Sequence, residues 1–204
     1  MRMVRLEVRS TQQFRGIFFP ASNPFSCMHL GQPWQPANPP LQIESGVQFS
    51  LREFRPEDFE VLWRIDQKCF APGIAYPRRE LAAYLQRRGS FTIVAEIAAE
   101  KSDVAGFIVA EASRRGVGHI ITIDVLPASR RGGLGSMLLA AAEERLRQGR
   151  CHTAVLETAV DNASALAFYK RHQYSVVKTV PRYYSNGVDA LVLEKDLNSA
   201  APRS

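Results

Sequence analysis

Arg130, Gly133 and Gly135 form the pattern RxxGxG, directly after the run Ile123-Asp124-Val125-Leu126-Pro127 and directly before an Ala/Leu-rich stretch. Glycines let a ligand come close to the backbone. A helix starting near Gly133 presents N–H groups that lack an intrahelical acceptor, and its dipole favours an anion there. Arg130 and Arg131 add charge-assisted donors. The chemistry of such a loop is holding a pyrophosphate. A nucleotide P-loop would need GxxxxGK followed by Ser or Thr, and this loop has no Lys. A Rossmann fingerprint would need a third glycine near the position of Leu138. Both readings fail on spacing.

The surrounding sequence supplies elements to carry the loop. Val47 to Phe54 alternates as a strand does. Pro56 then opens a helix with Phe59, Leu62, Ile65 and Cys69 on one face, which Ala71 to Pro77 breaks. A short helix is expected over Arg78 to Arg88. Three β-rich runs follow, Phe91 to Ala98, Val104 to Ala112 and His119 to Leu126, and read as an antiparallel meander. The remainder reads as a helix over Gly133 to Gln148, a strand over Thr153 to Thr158, a helix over Asn162 to His172, and strands over Ser175 to Val180 and Val188 to Leu193. The fold class is α/β, a mixed and mostly antiparallel sheet of about seven strands with about four helices.

This loop after the fourth strand resembles motif A of the GCN5-related N-acetyltransferases (GNAT), whose fold has the same element order. The similarity spans roughly Val47 to Leu197. LETAVDNASALAFYKRHQY, Leu156 to Tyr174, is similar to the bacterial acetyltransferases of ribosomal-protein N-terminal alanine, in which Glu157, Asn162 and Tyr169 have counterparts at matching intervals. The resemblance implies acetyl-CoA as cosubstrate. Its pyrophosphate would lie on Arg130, Arg131, Gly132, Gly133, Leu134 and Gly135, with Asn162 as a further contact or helix cap. Backbone groups of Ile123, Asp124 and Val125, splayed from the next strand, would meet the pantetheine amides and the acetyl oxygen.

Acetyl transfer to an amine needs a neutral amine, a polarised thioester carbonyl and a proton for the departing thiolate. A peptide α-amine, with a pKa of roughly 7.7 to 8.0 against about 10.4 for lysine, needs little help to lose its proton. The resemblance makes Glu157 the base and Tyr169 the acid, with Asp124 a lower-ranked rival base. Phe70 and Ile74, in the break after the first helix, and Tyr183 and Tyr184 fall where the subgroup holds its peptide. Arg182 replaces an Asn before the two tyrosines, Val188 replaces an acid before Asp189, and Phe70-Ala71-Pro72-Gly73-Ile74 replaces a Phe-Pro-Trp-like element. These departures bear on the acceptor, not on the reaction. The implied partner is a protein or peptide N-terminus, with a ribosomal protein as one candidate. A small amine, a lysine side chain, and a non-catalytic acyl-CoA-binding module are the alternatives.

Composition sets the outer bounds. The 204 residues are 46% hydrophobic and 23% charged, which fits one globular domain. Six of the 12 prolines precede residue 47, so residues 1–46 are expected to be a poorly structured extension or an over-long gene start, with Met28 a later candidate start. Residues 47–197 form the expected catalytic domain, and 198–204 a flexible tail. No run suits a membrane span or a secretory signal, so the expected setting is cytoplasmic. Cys27, Cys69 and Cys151 are too scattered for a disulfide framework or a metal knuckle, and His119, His152 and His172 lack metal spacing and are expected at exposed positions or strand ends. No metal is expected. The net charge of +6 shrinks to 21 basic against 18 acidic side chains on residues 47–197. Because the arginine pairs are scattered along the chain, the sequence argues against direct nucleic-acid binding. A monomer or weak dimer is expected.

Overall fold

The computed structural model describes residues 48–70, 75–97, 103–184 and 187–198. Strand β1 (Phe49–Glu53) leads through a 3-10 turn (Pro56–Asp58) into α1 (Phe59–Cys69) and α2 (Arg78–Gln86). The meander β2 (Ser90–Ile97), β3 (Val104–Ala112) and β4 (Val117–Val125) follows, then a second 3-10 turn (Pro127–Ser129) and α3 (Leu134–Gln148). The chain continues through β5 (Thr153–Ala159), α4 (Ala163–Arg171), β6 (Ser175–Val180) and β7 (Ala190–Asp196). The expected element order holds throughout, and the seven strands form one sheet in the order β1-β2-β3-β4-β5-β7-β6. Every pairing is antiparallel except β4 with β5.

Two apolar cores cover the two faces of this sheet. Leu134, Leu138, Leu139, Ala142 and Leu146 of α3, with Ala165 and Tyr169 of α4, pack on Ile93, Ile108, Ile120 and Leu156. Leu62 and Ile65 of α1, with Leu81 and Tyr84 of α2, pack on Val94, Phe107, Val109 and Ile121 on the other side. The apolar face expected for α1 is the one it buries. Burying one such Leu or Ile contributes roughly 1.5–3 kcal/mol, enough to fix which side of each strand turns inward.

Several boundaries differ from expectation by a residue or more, and three of them have a clear local cause. Helix α1 proper begins at Phe59, because Pro56–Asp58 forms a 3-10 turn in which the Asp58 carboxylate accepts from the Arg55 N–H (2.7 Å). Helix α2 stops at Gln86, since Arg87 turns to extended backbone (ψ 138°) to enter β2. Strand β7 starts at Ala190 and runs on to Asp196, not from Val188 to Leu193. Val188 and Asp189 belong to the preceding turn, where the Val188 carbonyl accepts from Tyr184 N–H (3.0 Å) and the Asp189 carboxylate from Arg182 N–H (2.7 Å). Beyond Leu193, Glu194, Lys195 and Asp196 stay paired with Val155, Ala154 and Thr153.

Candidate active site

Strands β4 and β5 pair only at Val117–Thr153, Gly118–Ala154 and His119–Val155; both then continue without pairing to each other. A bulge in β4 makes Ile121 an extra residue between Ile120, which opposes Ala110, and Thr122, which opposes Val109. Bulges re-aim side chains. Here the bulge puts His119, Ile121, Thr122 and Asp124 on the α1/α2 face, while Ile120 and Ile123 turn to the α3 core. Ile123 and Asp124 therefore have side chains committed to packing and to the Thr122 hydroxyl, which donates to Asp124 Oδ2 at 2.8 Å.

Glu157 lies on β5 just past the last β4–β5 pair. Its neighbour Leu156 faces the α3 core, so Glu157 faces the same side as His119. It is 1% exposed, and His119 Nε2–H donates to its Oε2 at 2.8 Å. His119, expected at an exposed position or a strand end, is the third residue of β4 and its side chain is largely covered, because the parallel pairing seats β4 beside β5 at this point. Burial pulls the His119 pKa down, and the Glu157 carboxylate more than reverses this by its charge and hydrogen bond, so the net shift is upward from 6.5.

Tyr169 of α4 has its ring in the α3-side core and is 0% exposed; among the described residues its hydroxyl has no hydrogen-bond partner. Leaving a buried hydroxyl unmatched costs roughly 1–3 kcal/mol. Burial first, then the charges of Asp124 and Tyr184, hold its pKa well above 10. Tyr184 belongs to the β6–β7 turn, in which the Tyr183 and Tyr184 rings meet edge to face at 5.1 Å. Tyr183 is buried and Tyr184 half-buried.

A cavity of about 650 Å³ opens between the loop after β4 and helix α4. Val125, Arg130, Arg131, Gly133, Gly135 and Ser136 line one side, and Ser164, Phe168, Arg171 and His172 the other. Gly133 has φ +81°, and a Cβ there would meet no protein atom within 4 Å. Conformation alone demands glycine, and the space above the peptide is left for a ligand. Gly133 caps α3 without a side-chain acceptor for the first-turn N–H groups. Leu134 is core and offers only its backbone, and Gly132 is half-buried beside it. Arg130 Nε–H donates to the Val125 carbonyl at 2.9 Å, which fixes the guanidinium along the cavity wall. Glycine backbone, helix start and guanidinium groups together fit a pyrophosphate.

Asn162 takes the capping role. Its Oδ1 accepts from Ala165 N–H (3.1 Å) and the Ser164 hydroxyl (3.2 Å), its Nδ2 donates to Thr158 Oγ1 (3.1 Å), and it does not line the cavity. Of the residues expected to hold the acceptor, Phe70 is half-buried at the end of α1, and Ile74 lies outside the described residues. Asp66 Oδ2 accepts from Tyr76 N–H at 2.7 Å and Gln67 Nε2 donates to the Tyr76 carbonyl at 3.1 Å, which fixes the chain where it re-enters α2. The Cys69 thiol, pushed up to about 12 by burial and by Asp124, stays protonated and donates to the Val125 carbonyl at 3.4 Å. This contact joins the end of α1 to the end of β4.

His172 also departs from its expected exposure. Its Nδ1–H donates to the Phe168 carbonyl (2.8 Å), so its Nε2 accepts from the Ser136 hydroxyl (2.9 Å), tying α4 to the first turn of α3. His172, Ser136, Ser164, Phe168, Arg171 and His119 are site residues that the sequence did not disclose. Ser164, Phe168, Arg171 and His172 recur at i, i+4, i+7 and i+8, a helical stripe that marks one face of α4. His119 carries no local signal.

A family model described as Acetyltransferase (GNAT) family matches residues 57–174. The chain belongs to the GNAT family. This acetyltransferase is 31% identical over 154 residues to an uncharacterized N-acetyltransferase of Methanocaldococcus jannaschii, covering 74% of the chain and 95% of that protein. It is 26% identical over 166 residues to the N-alpha-acetyltransferase of Saccharolobus solfataricus, covering 76% and 96%. The crystal structure of Ard1 from Thermoplasma volcanium superposes with a TM-score of 0.65 at 27% identity, over 72% of the acetyltransferase and 97% of that chain. No helix among the described residues of the acetyltransferase is long and apolar enough to cross a membrane.

Proposed function

We propose that this acetyltransferase uses acetyl-CoA and transfers the acetyl group directly to the α-amine of a protein or peptide. The observation that carries the reading is the Tyr169 hydroxyl, buried and without a hydrogen-bond partner among the described residues, beside a splayed strand pair whose other side holds the buried Glu157 and its partner His119. Relatives described as N-alpha-acetyltransferases, aligned over most of both chains, support the α-amine as acceptor.

Acetyl-CoA, when bound, supplies an acyl group on a thioester sulfur. Arg130, Arg131 and the α3 N-terminus hold the phosphates, and Phe168 and Arg171 close the cavity from α4. The neutral amine attacks the thioester carbonyl carbon to form the C–N bond. As the C–S bond breaks, Tyr169 Oη–H, hydrogen-bonded to the sulfur, passes its proton to the departing thiolate and recovers one from the nitrogen as it becomes an amide. The raised Tyr169 pKa favours this donor role over early proton loss. With His119 protonated, the Glu157–His119 pair is neutral overall. Above the His119 pKa it carries net negative charge and takes the proton of the incoming ammonium at Glu157, directly or through one water. An α-amine, which titrates near 7.7–8.0, suits that modest base better than a lysine does.

The test is incubation with acetyl-CoA and a peptide library with free or blocked N-termini, ribosomal-protein N-terminal sequences included, read by mass spectrometry. Modification confined to free N-termini is expected. Label found only on lysine side chains or small amines would overturn the α-amine assignment.

A further inference from the structure

Two of the arginine pairs that are scattered in the sequence, Arg87-Arg88 and Arg114-Arg115, converge in the fold with the single Arg150. Three turns meet at the end of the sheet where β4 and β5 begin: residues 87–90 between α2 and β2, 113–116 between β3 and β4, and 149–152 between α3 and β5. Gly89 O accepts from Ala112 N–H at 2.9 Å, and Gly116 O accepts from His152 N–H at 2.8 Å. A Cβ on Gly116 would lie 3.3 Å from the Arg150 carbonyl oxygen, so the three turns are in direct contact. Within them stand Arg87, Arg88, Arg114, Arg115 and Arg150, together with His152, and not one Asp or Glu. Arg88, Arg114, Arg115 and Arg150 are exposed. The acids at the border are mostly engaged: Glu111 with Arg87 (3.3 Å) and Glu144 with Arg147 (3.4 Å), while Asp196 sits opposite Thr153 at the end of β7.

We propose that this pole is a docking surface for the phosphodiester backbone of a double-helical nucleic acid. Strands β2 to β5 are consecutive in the sheet, so at about 4.8 Å per strand the turns spread their cations over roughly 14 Å, comparable to the width of a groove between phosphate rows. Guanidinium forks suit phosphate oxygens. The turns contain no Phe, Tyr or Trp, so they lack the stacking platform that single strands require. Arg150 adds a local argument. It follows α3 with φ +62°, the left-handed exit position at which glycine is favoured, so the chain holds a cation where the backbone would prefer none. The active centre stays open: the nine residues of β4 place the phosphate cavity about 26 Å from this pole. An enzyme held on a polyanion at one end would still admit an acceptor at the other.

The experiment titrates the full chain into fluorescently labelled RNA and DNA duplexes between 50 and 200 mM salt, reading anisotropy. Binding with a log–log salt slope of about −3 to −4 is expected, one counterion per exposed arginine. Arg88→Ala/Arg114→Ala/Arg115→Ala/Arg150→Gly should lower affinity at least tenfold and flatten the slope. Its kcat/KM on a free peptide should stay as in the wild type, and that activity also reports a folded protein. Should the quadruple variant prove inactive, Arg88→Ala/Arg114→Ala replaces it, with half the slope lost. The proposal is overturned by duplex binding that the variants leave unchanged, by a wild-type slope of zero, or by displacement of duplex with poly-glutamate at equal charge, which would assign the pole to an acidic protein.

Discussion

The phosphate cradle and the splayed strand pair are built in opposite ways. The cradle is nearly contiguous in the chain: Val125 to Ser136 supply one wall, and a single helical stripe on α4 supplies the other. The splay draws His119 and Glu157 from strands 38 residues apart and adds Tyr169 from a helix between β5 and β6. Contiguity gives the cradle its geometry locally, through a left-handed glycine and a helix start, which suits the phosphate binding proposed for it. The splay exists only once β4 bulges at Ile121 and β5 pairs beside its first three residues. In the proposed reaction it places proton-holding groups on two sides of one gap. Substitutions in the two regions should therefore be kinetically separable.

The largest effect is expected at Tyr169. Tyr169→Phe removes one oxygen that no described residue bonds, so the core and the cavity are kept. Isothermal titration should find CoA affinity within about twofold of wild type, whereas kcat should fall by roughly 10² to 10⁴. A variant that lost CoA binding in parallel would erase the distinction between the two regions and return Tyr169 to a purely structural role.

A smaller effect with the reverse signature is expected in the cradle. Arg131→Ala removes a charged donor from the cavity wall, and hydrogen bonds to charged groups contribute roughly 1.5–3 kcal/mol. CoA affinity should weaken about 10- to 100-fold, while kcat at saturating acetyl-CoA changes little. An unaltered Kd would mean that Arg131 faces solvent in the loaded enzyme.

The same contrast explains what could be read from the chain in advance. The cradle was legible because RxxGxG is a local pattern with a local cause. The element order was legible because each strand and helix shows its own period, and Leu62, Ile65 and Leu81 bury the faces those periods imply. Glu157 and Tyr169 could be singled out because their interval matches that of the subgroup the sequence resembles. His119 could not, since its role depends on a parallel register that no local signal encodes. The arginine turns were hidden for the same reason: two short pairs and the single Arg150, far apart in sequence, become neighbours only when β2 to β5 stand side by side.

The smallest effect, a displaced titration, tests the splay most directly. Burial alone would depress His119, and Glu157 raises it above 6.5, so Glu157→Gln should bring the burial contribution to the fore. NMR titration of the His119 ring should show a midpoint above 6.5 in the wild type and below 6.5 in Glu157→Gln. The pH dependence of kcat/KM should rise through the wild-type value, because the pair becomes a base only when His119 gives up its proton. The sign for stability is opposite. A folded pKa raised above the unfolded one stabilises fully below about 6.5, and that gain is lost as pH climbs through the folded value. The wild-type enzyme should therefore gain activity across the same interval in which denaturant melts show the pair's contribution fading, and Glu157→Gln should lose both trends. If the His119 midpoint stays put in that variant, the 2.8 Å contact is not what holds the histidine charged, and the base must be sought elsewhere in the splay, with Asp124 the next carboxylate on the same face.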